Sequence, residues 1–356
     1  MNFLNFSLLS SRSCRLPARA AGALLTLAAF SPSALAQTES HTDSWPNFSG
    51  TLRGKWEWQT GEGQTRFEVR TARFAFDGNV TPEVDYKAEV DLSDEGRIKM
   101  LDAYAGVRPL EGLRLRLGQM RVPFSIDAPR SPHKQYFANR SFIAKQVGNV
   151  RDVGLCAGWQ PASGLPLHFE AGLFNGSGLT DQKDYWTRSL NFSAKATLAL
   201  GGGLSAQASV QKISPAGGNT YLYDGGLTWQ WGRWTVEAEY LRKHYTSPAF
   251  QDVNALDAFV CYDLPLRGAF RKVSLLCRYD CMGDHSDGSI DEAGRLRLTD
   301  AARQRLTGGL TWSLAKKMNA DIRMNFEKYF YENAALAKPS ERDKVVVELV
   351  VHFPNK

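Results

Sequence analysis

Pro82-Glu-Val84-Asp-Tyr86-Lys-Ala88-Glu-Val90-Asp91 alternates apolar and charged side chains without interruption. Successive side chains of a β-strand point to opposite faces, so this stretch has one face of Val, Tyr and Ala and one face of Glu, Asp and Lys. A soluble β-sandwich would turn the charged face to bulk water. A membrane barrel would turn it into an aqueous lumen and the apolar face to lipid.

The same period-two alternation recurs along most of the chain. Sixteen segments carry it, an even number as in single-chain bacterial barrels, and each is about 10 residues or longer, enough to cross a bilayer at a tilt. The sequence therefore predicts an all-β fold, a transmembrane antiparallel β-barrel of sixteen strands. The predicted strands are 48–59, 65–77, 82–92, 97–108, 112–120, 151–160, 166–175, 187–200, 203–213, 219–231, 233–246, 255–264, 270–282, 303–314, 318–331 and 343–353.

The connections between these strands fall into two length classes. The even-numbered connections are short, for example 109–112, 201–203 and 231–233. The odd-numbered ones run longer, notably 119–150, 175–186, 247–254, 283–302 and 332–342. Short periplasmic turns on one rim and long extracellular loops on the other are typical of outer-membrane barrels, whereas a soluble β-fold has no reason to segregate loop length.

The first 36 residues predict a secretory signal peptide. Arg12, Arg15 and Arg19 precede an apolar core at 20–30, and Ala34-Leu35-Ala36 forms a cleavage site, so the mature barrel is expected at 37–356. The core is too short for a spanning helix. Cleavage after Ala36 removes three Arg and no acid, which lowers the formal charge from +6 to +3. The expected location is the outer membrane of a Gram-negative bacterium.

Basic residues concentrate between 108 and 151, a stretch that contains nine Lys and Arg and only two acids, Glu111 and Asp127. An inward fold of loop 119–150 would narrow the pore and line it with positive charge, and rings of Arg and Lys select anions. The candidate pore-lining, anion-binding residues are Arg114, Arg116, Arg121, Arg130, Lys134, Arg140 and Lys145, together with Arg53, Lys55, Arg66 and Arg70 on the first two strands.

Two alternatives to an anion site remain open in this pattern. The loop could lie over the pore and pair its bases with the phosphates of lipopolysaccharide. The bases of the first two strands could pair with nearby carboxylates and stiffen the wall while selecting little; the candidate partners are Glu57, Glu68, Glu83 and Asp85.

Other function classes find little support in the sequence. None of the six histidines lies in a G-x-S-x-G or H-E-x-x-H context, so an enzyme is not expected. His133 and His285 fall on predicted loops and are expected to be solvated. Neither a nucleic-acid motif nor a Cys/His metal spacing occurs, so no metal, no cofactor and no nucleic-acid partner are expected.

Several motifs resemble the phosphate-selective porin O and P family. The most diagnostic group is Gly118-Gln-Met-Arg-Val-Pro-Phe124, followed by Asn139-Arg-Ser141 and Arg151-Asp-Val-Gly154. Further resembling stretches are Arg66–Phe74, Leu101–Tyr104, Phe174–Gly176, Ala238–Tyr240 and Arg278–Asp280. The resemblance implies a sixteen-stranded homotrimeric porin in outer-membrane lipid, with a pore in each subunit and a constriction lined by Arg and Lys. It favours small anions, phosphate or polyphosphate, as solutes.

Lumenal acids leave a general or sugar-selective porin as the alternative function, because they would balance the bases. The acids concerned are Asp85, Glu89, Asp91, Asp102 and Asp280. The long loops leave a surface adhesin or receptor barrel as a further alternative.

Overall fold

A computed structural model of the chain describes residues 46–146, 150–162, 164–179, 182–248, 250–314 and 319–353. Within these ranges the chain is almost entirely β-sheet. The strands are β1 Asn47–Gln59, β2 Thr65–Thr81, β3 Val84–Asp94, β4 Arg97–Leu110, β5 Leu113–Arg121, β6 Arg151–Trp159, β7 Leu167–Phe174, β8 Asn191–Gly201, β9 Leu204–Ile213, β10 Thr220–Trp231, β11 Trp234–Tyr245, β12 Val253–Pro265, β13 Phe270–Met282, β14 Arg303–Leu314, β15 Ala320–Tyr331 and β16 Lys344–Phe353.

Each strand pairs antiparallel with its sequence neighbours, and β16 pairs with β1 to close the barrel. The closing register places Gly50 opposite Phe353 and Gln59 opposite Lys344. Closure satisfies the hydrogen bonds of every edge, which a sheet in lipid requires. Each of the sixteen predicted strands corresponds to an observed one, so the predicted fold is confirmed.

Apolar side chains face outward and charged side chains face inward, which is the reverse of the arrangement in a soluble protein. On β16 the side chains of Lys344 and Glu348 are 3% and 0% exposed on the lumenal face, whereas Leu349 on the outer face is 50% exposed. The outer face is thus apolar and accessible, as lipid requires, and the inner face is charged and covered by protein.

Helical structure is sparse in the described ranges. It comprises a short α-helix, α1 at Phe142–Gln146, and two 3-10 turns at Pro132–Lys134 and Ala334–Leu336. Among the described residues, no helix is long and apolar enough to span a bilayer.

One rim carries short turns and the other carries most of the long connections. The connection between β3 and β4 departs from this pattern, because it consists of two residues on the long-loop rim. These are Glu95 and Gly96, with φ of 46° and 88°. Positive φ at both central residues is the geometry of a tight hairpin turn that matches the twist of its strands.

Aromatic side chains gather at the short-turn rim. Trp229 and Trp231 stack with ring centroids 5.7 Å apart, and Trp234 lies 4.5 Å from Tyr262. Amphipathic rings at this height form an interfacial girdle in membrane barrels. The predicted signal peptide, 1–36, lies outside the described residues.

Candidate functional site

The connection between β5 and β6 enters the barrel and packs on its inner wall. We call its described part, residues 122–146, the inward loop. The amide of Ala138 donates to Asn325 Oδ1 at 2.7 Å, that of Phe142 to Asp280 Oδ2 at 3.0 Å, and Asn139 Nδ2 donates to Glu327 Oε1 at 2.9 Å. The loop is therefore attached to the lumenal side of β13 and β15 and does not lie over the rim.

An apolar cluster inside the lumen reinforces these contacts. Phe124, Phe142 and Ile143 of the inward loop pack against Leu222 of β10 and Leu241 of β11. Burying side chains of this size contributes roughly 1.5–3 kcal/mol each. The wall of β10–β13 therefore offers the loop an apolar surface within an otherwise charged interior.

The carboxylate of Glu239 anchors the start of the inward loop. Glu239 Oε1 accepts hydrogen bonds from Ser125 Oγ at 2.5 Å and from the amide of Ile126 at 2.7 Å. Ser125 has φ of 65°, a left-handed conformation that costs energy for a residue with a side chain. These contacts fix the strained turn that directs the chain inward.

Asp127 organises the middle of the loop. Its carboxylate accepts hydrogen bonds from the amide and the hydroxyl of Ser141, at 3.2 and 3.0 Å, and forms an ion pair with Arg130 at 3.0 Å. Burial alone would raise the pKa of Asp127, but the charges of Arg130 and Arg140 hold it below its ordinary value. Asp127 is thus an ionised centre around which the loop closes.

The predicted bases of β1 and β2 are paired with acids. Arg53 contacts Glu348 at 2.6 Å and also donates to Gln135 Oε1 and the Ala138 carbonyl of the inward loop, both at 2.7 Å. Lys55 lies 2.8 Å from Glu57, which also binds Arg66. Arg70 lies 3.7 Å from Glu68.

The predicted bases of β5 are paired as well. Arg114 Nε donates to Asp85 Oδ1 at 3.1 Å, and Arg116 lies 2.5 Å from Glu170. Both guanidinium groups lie 5.8 Å from the ring centroid of Tyr104. This part of the lumen is a wall of ion pairs around an aromatic platform.

Three predicted bases of the inward loop differ in their surroundings. Arg130 pairs with Glu237 at 2.7 Å as well as with Asp127, and Lys145 lies 3.3 Å from Glu341. Lys134 is exposed on the 3-10 turn.

Arg121 and Arg140 bind neutral oxygens. Arg121 donates to the Pro129 carbonyl; Arg140 donates to the carbonyls of Asp127 and Ala128, at 2.6 and 3.0 Å, and to that of Arg130 at 2.7 Å. Among the described residues, neither guanidinium forms an ion pair with a carboxylate. Burial and the charges of Arg73, Arg121 and Arg53 lower the pKa of Arg140 to about 10, against the opposing effect of the Asp127 carboxylate. These guanidinium groups are therefore close enough to repel one another.

Sequence reasoning missed Arg73, which belongs to this cluster. Its Nε lies 2.9 Å from Asp91 and its Nη1 3.7 Å from Glu89. Strict alternation from Arg66 would place residue 73 on the lipid face. The register of β1 and β2 shifts between Arg53 and Gly54, however, so Arg70 is an extra residue and Arg73 faces the lumen. A β-bulge re-phases a strand in this way, and no local signal in the sequence reports it.

The predicted site residues thus divide into an ion-paired wall and a cationic cluster. The cationic cluster comprises Arg121 and Arg140, with Arg73 beside them, at the point where the inward loop leaves β5. Of the predicted bases with a described side chain, Arg121 and Arg140 are the two that bind carbonyl oxygens and have no carboxylate within ion-pair distance.

Comparison with known proteins agrees with this architecture. Residues 57–219 match the family described as phosphate-selective porin O and P, which confirms the resemblance seen in the motifs. No curated protein sequence matches the chain.

Several solved structures share the fold. The outer-membrane channel DcaP of Acinetobacter baumannii is 15% identical, with 88% of this chain and 99% of that chain covered at a TM-score of 0.60. The anion-selective porin from Comamonas acidovorans is 12% identical, with 86% and 99% covered at 0.59. OmpT of Vibrio cholerae, in a trimer form, is 11% identical, with 86% and 99% covered at 0.60. The family match and the shared fold together support an outer-membrane channel.

Proposed function

We propose that this chain, whose residues 57–219 match the phosphate-selective porin O and P family, forms a passive aqueous channel that favours small anions. Phosphate or polyphosphate is the favoured solute. In this proposal the inward loop narrows the lumen, and the cationic cluster provides the selectivity.

The observation that carries the proposal is the chemistry of Arg121 and Arg140. Carbonyl oxygens orient a guanidinium without cancelling its charge, whereas a carboxylate partner turns the pair into a short-range dipole. The two arginines therefore retain a net positive field in the lumen. Arg73 lies close enough to act on Arg140, but its ion pairs with Asp91 and Glu89 offset most of its charge.

This positive field attracts an anion that has lost part of its hydration shell. Guanidinium N–H groups replace part of the hydration shell with charge-assisted hydrogen bonds, and low-dielectric walls concentrate the field. An oxyanion such as phosphate suits planar, multi-donor guanidinium groups better than a monatomic ion does. Passage still requires weak, reversible contacts, so a small number of uncompensated arginines is appropriate.

The proposal includes the environment of the barrel. We infer that residues 1–36 are a signal peptide cleaved after Ala36, that the loops face lipopolysaccharide, and that three copies assemble, as in the trimer form of OmpT. Amino-terminal sequencing of the membrane-extracted protein is expected to begin at Gln37, and crosslinking is expected to yield trimers.

A general or sugar-selective porin is the second candidate, and a specific observation favours it. Most of the predicted bases are ion-paired, and acids such as Asp85, Glu89 and Asp102 line the same lumen. If the paired wall dominates the field, small solutes of either charge would pass equally.

Zero-current potential across a salt gradient in a planar bilayer separates the two candidates. We expect a potential of the sign set by anion permeation, and a concentration-dependent block of chloride current by phosphate. The double variant Arg121→Ala/Arg140→Ala is expected to weaken the block more than Arg114→Ala/Arg116→Ala. Cation preference in the native channel would contradict the proposal, and an equal effect of the two variants would clear the cationic cluster of this role.

A further inference from the structure

Two histidines stack face to face inside the lumen. His133 lies on the 3-10 turn of the inward loop, and His352 lies on the lumenal face of β16. Their ring centroids are 3.7 Å apart, with the planes 12° from parallel. The expectation that His133 is solvated is wrong, because the loop turns inward and half-buries this ring. The stack joins the loop to the strand that closes the barrel.

Hydrogen bonds define the protonation of the pair. His352 Nδ1 lies 3.0 Å from the Gly50 carbonyl, which can only accept, so this nitrogen carries a proton. Thr51 Oγ1 lies 3.4 Å from His133 Nδ1 and 3.2 Å from His352 Nδ1. The Thr51 hydroxyl can share this His352 proton with the Gly50 carbonyl as a second acceptor, and it can donate its own proton to an unprotonated His133 Nδ1. A neutral His133 completes this chain, and a protonated one reverses its last hydrogen bond.

The charges around His133 oppose its protonation. Arg323 of β15 donates to the His133 carbonyl at 3.1 Å, and its charge acts on the ring together with those of Lys134 and Arg121. Burial, the neighbouring His352 and these cations lower the pKa of His133 from an ordinary 6.5 to about 4.

The carboxylates that face the stack are few. Glu348 of β16 is held between Arg53 and Arg323, at 2.6 and 3.2 Å. Asp321 of β15 stands opposite Val350 on the lumenal face. The balance of charge near the stack is therefore positive.

We propose that the His133–His352 stack is a proton-sensitive clasp, which holds the inward loop against β16 at neutral pH and releases it in acid. The docked loop binds fewer protons at His133 than the released loop does. Docking is therefore fully stable above the ordinary pKa of 6.5 and weakens as the pH falls from 6.5 toward 4. A segment that detaches from the inner wall extends further across the lumen and interrupts the current, and this consequence rests on the proposed channel function.

Hydrogen–deuterium exchange tests the clasp without relying on transport. Amides of residues 122–146 in the folded, detergent-solubilised barrel are compared at pH 7.5 and 5.0, after correction for intrinsic exchange. We expect faster exchange at pH 5.0, by up to about 30-fold if one proton governs release. Bilayer recordings under the same conditions are expected to show more frequent closures.

Variants that keep a flat ring without a proton site isolate the mechanism. His133→Phe is expected to remove the pH response of both readouts, and His352→Phe is expected to reduce it, because His133 still titrates in that variant. His168→Gln, at an exposed histidine on β7, is the matched control and is expected to retain the response. His133→Asn serves as a second variant if a Phe substitution prevents folding, which heat-dependent gel mobility reports; it too is expected to lose the response.

Two results would overturn the clasp: equal corrected exchange of the native loop at both pH values, or an undiminished response in the folded His133 variants. Failure of anion selectivity in the bilayer would leave the exchange result standing. The clasp and the proposed function can therefore fail separately.

Discussion

Two regions of the lumen both carry basic side chains and differ in what those side chains bind. In the ion-paired wall, Arg66, Arg114 and Arg116 each contact a carboxylate. In the cationic cluster, Arg121 and Arg140 contact backbone carbonyls. A count of Lys and Arg therefore overstates the positive field of the wall and describes that of the cluster correctly.

The difference follows from distance and screening. An ion pair presents a dipole whose field fades beyond the separation of its charges, and salt in the lumen screens the remainder within about 10 Å at 0.1 M. A guanidinium held by carbonyls retains its full charge. In the proposed channel the wall consequently contributes to structure and the cluster to selectivity, although both are rich in arginine.

The largest effect is expected from replacing Arg53, which joins Glu348 of β16 to the inward loop. Arg53→Ala removes the contact with Glu348 and both hydrogen bonds to the inward loop. Loss of one partner from a buried pair costs about 3–5 kcal/mol, and the lower end applies because Arg323 still faces Glu348. Denaturant titration of the barrel in detergent measures this loss; a free energy of unfolding within 1 kcal/mol of the native value would contradict the structural role.

The second effect breaks the cluster itself. Arg140→Ala removes one uncompensated charge, worth on the order of 1 kcal/mol to an ion passing at about 5 Å through water. Because the change disfavours anions and favours cations by this amount, the anion-to-cation permeability ratio is expected to fall about 10- to 30-fold. Zero-current potential measures the ratio, with Arg140→Lys as the charge-preserving control. A potential identical to that of the native channel would remove Arg140 from the selectivity mechanism.

The third effect comes from removing a carboxylate of the ion-paired wall, which leaves the arginines beside it with fewer acidic partners. Glu89 lies 3.2 Å from Arg151 and 3.7 Å from Arg73. Glu89→Gln keeps the shape of the side chain and removes its charge, so the anion preference is expected to rise about twofold, an effect smaller than that of Arg140 because Asp91 and Asp102 remain. The same potential measurement applies, and a fall in anion preference would show that the wall does not screen the cluster.

The smallest effect tests the wall where it meets water. Arg66 is half exposed, and its partner Glu57 retains Lys55 and Lys344. Arg66→Ala is expected to change the free energy of unfolding by less than about 1 kcal/mol, as exposed ion pairs do, and to leave the permeability ratio unchanged. A shift of the ratio as large as that of Arg140→Ala would abolish the distinction between the two regions.

The barrel was predictable because its signal is local. The face that each residue of the stretch 82–91 presents follows from the pleat of its own strand, and lipid and water impose opposite demands on the two faces. The loop 119–150 was also identifiable, because it is a long interruption of that alternation, rich in arginine.

The candidate site was only partly predictable. Nothing local to Arg114 indicates that Asp85 neutralises it, because that contact depends on where β3 and β5 lie in the sheet. Arg73 was missed because a bulge at Arg70 reverses the faces of β2 beyond it. His133 was expected to be solvated because the path of its loop is invisible in the sequence.

The sequence by itself thus determined a barrel of sixteen strands with their lumenal faces, which depend on period-two patterning within each strand, and the basic loop that interrupts it. Only the tertiary structure decided which arginines have a carboxylate partner and which bind carbonyl oxygens. It also decided that His133 meets His352. Those outcomes depend on the register between strands and on the path of the inward loop, which bring together residues as far apart as 133 and 352.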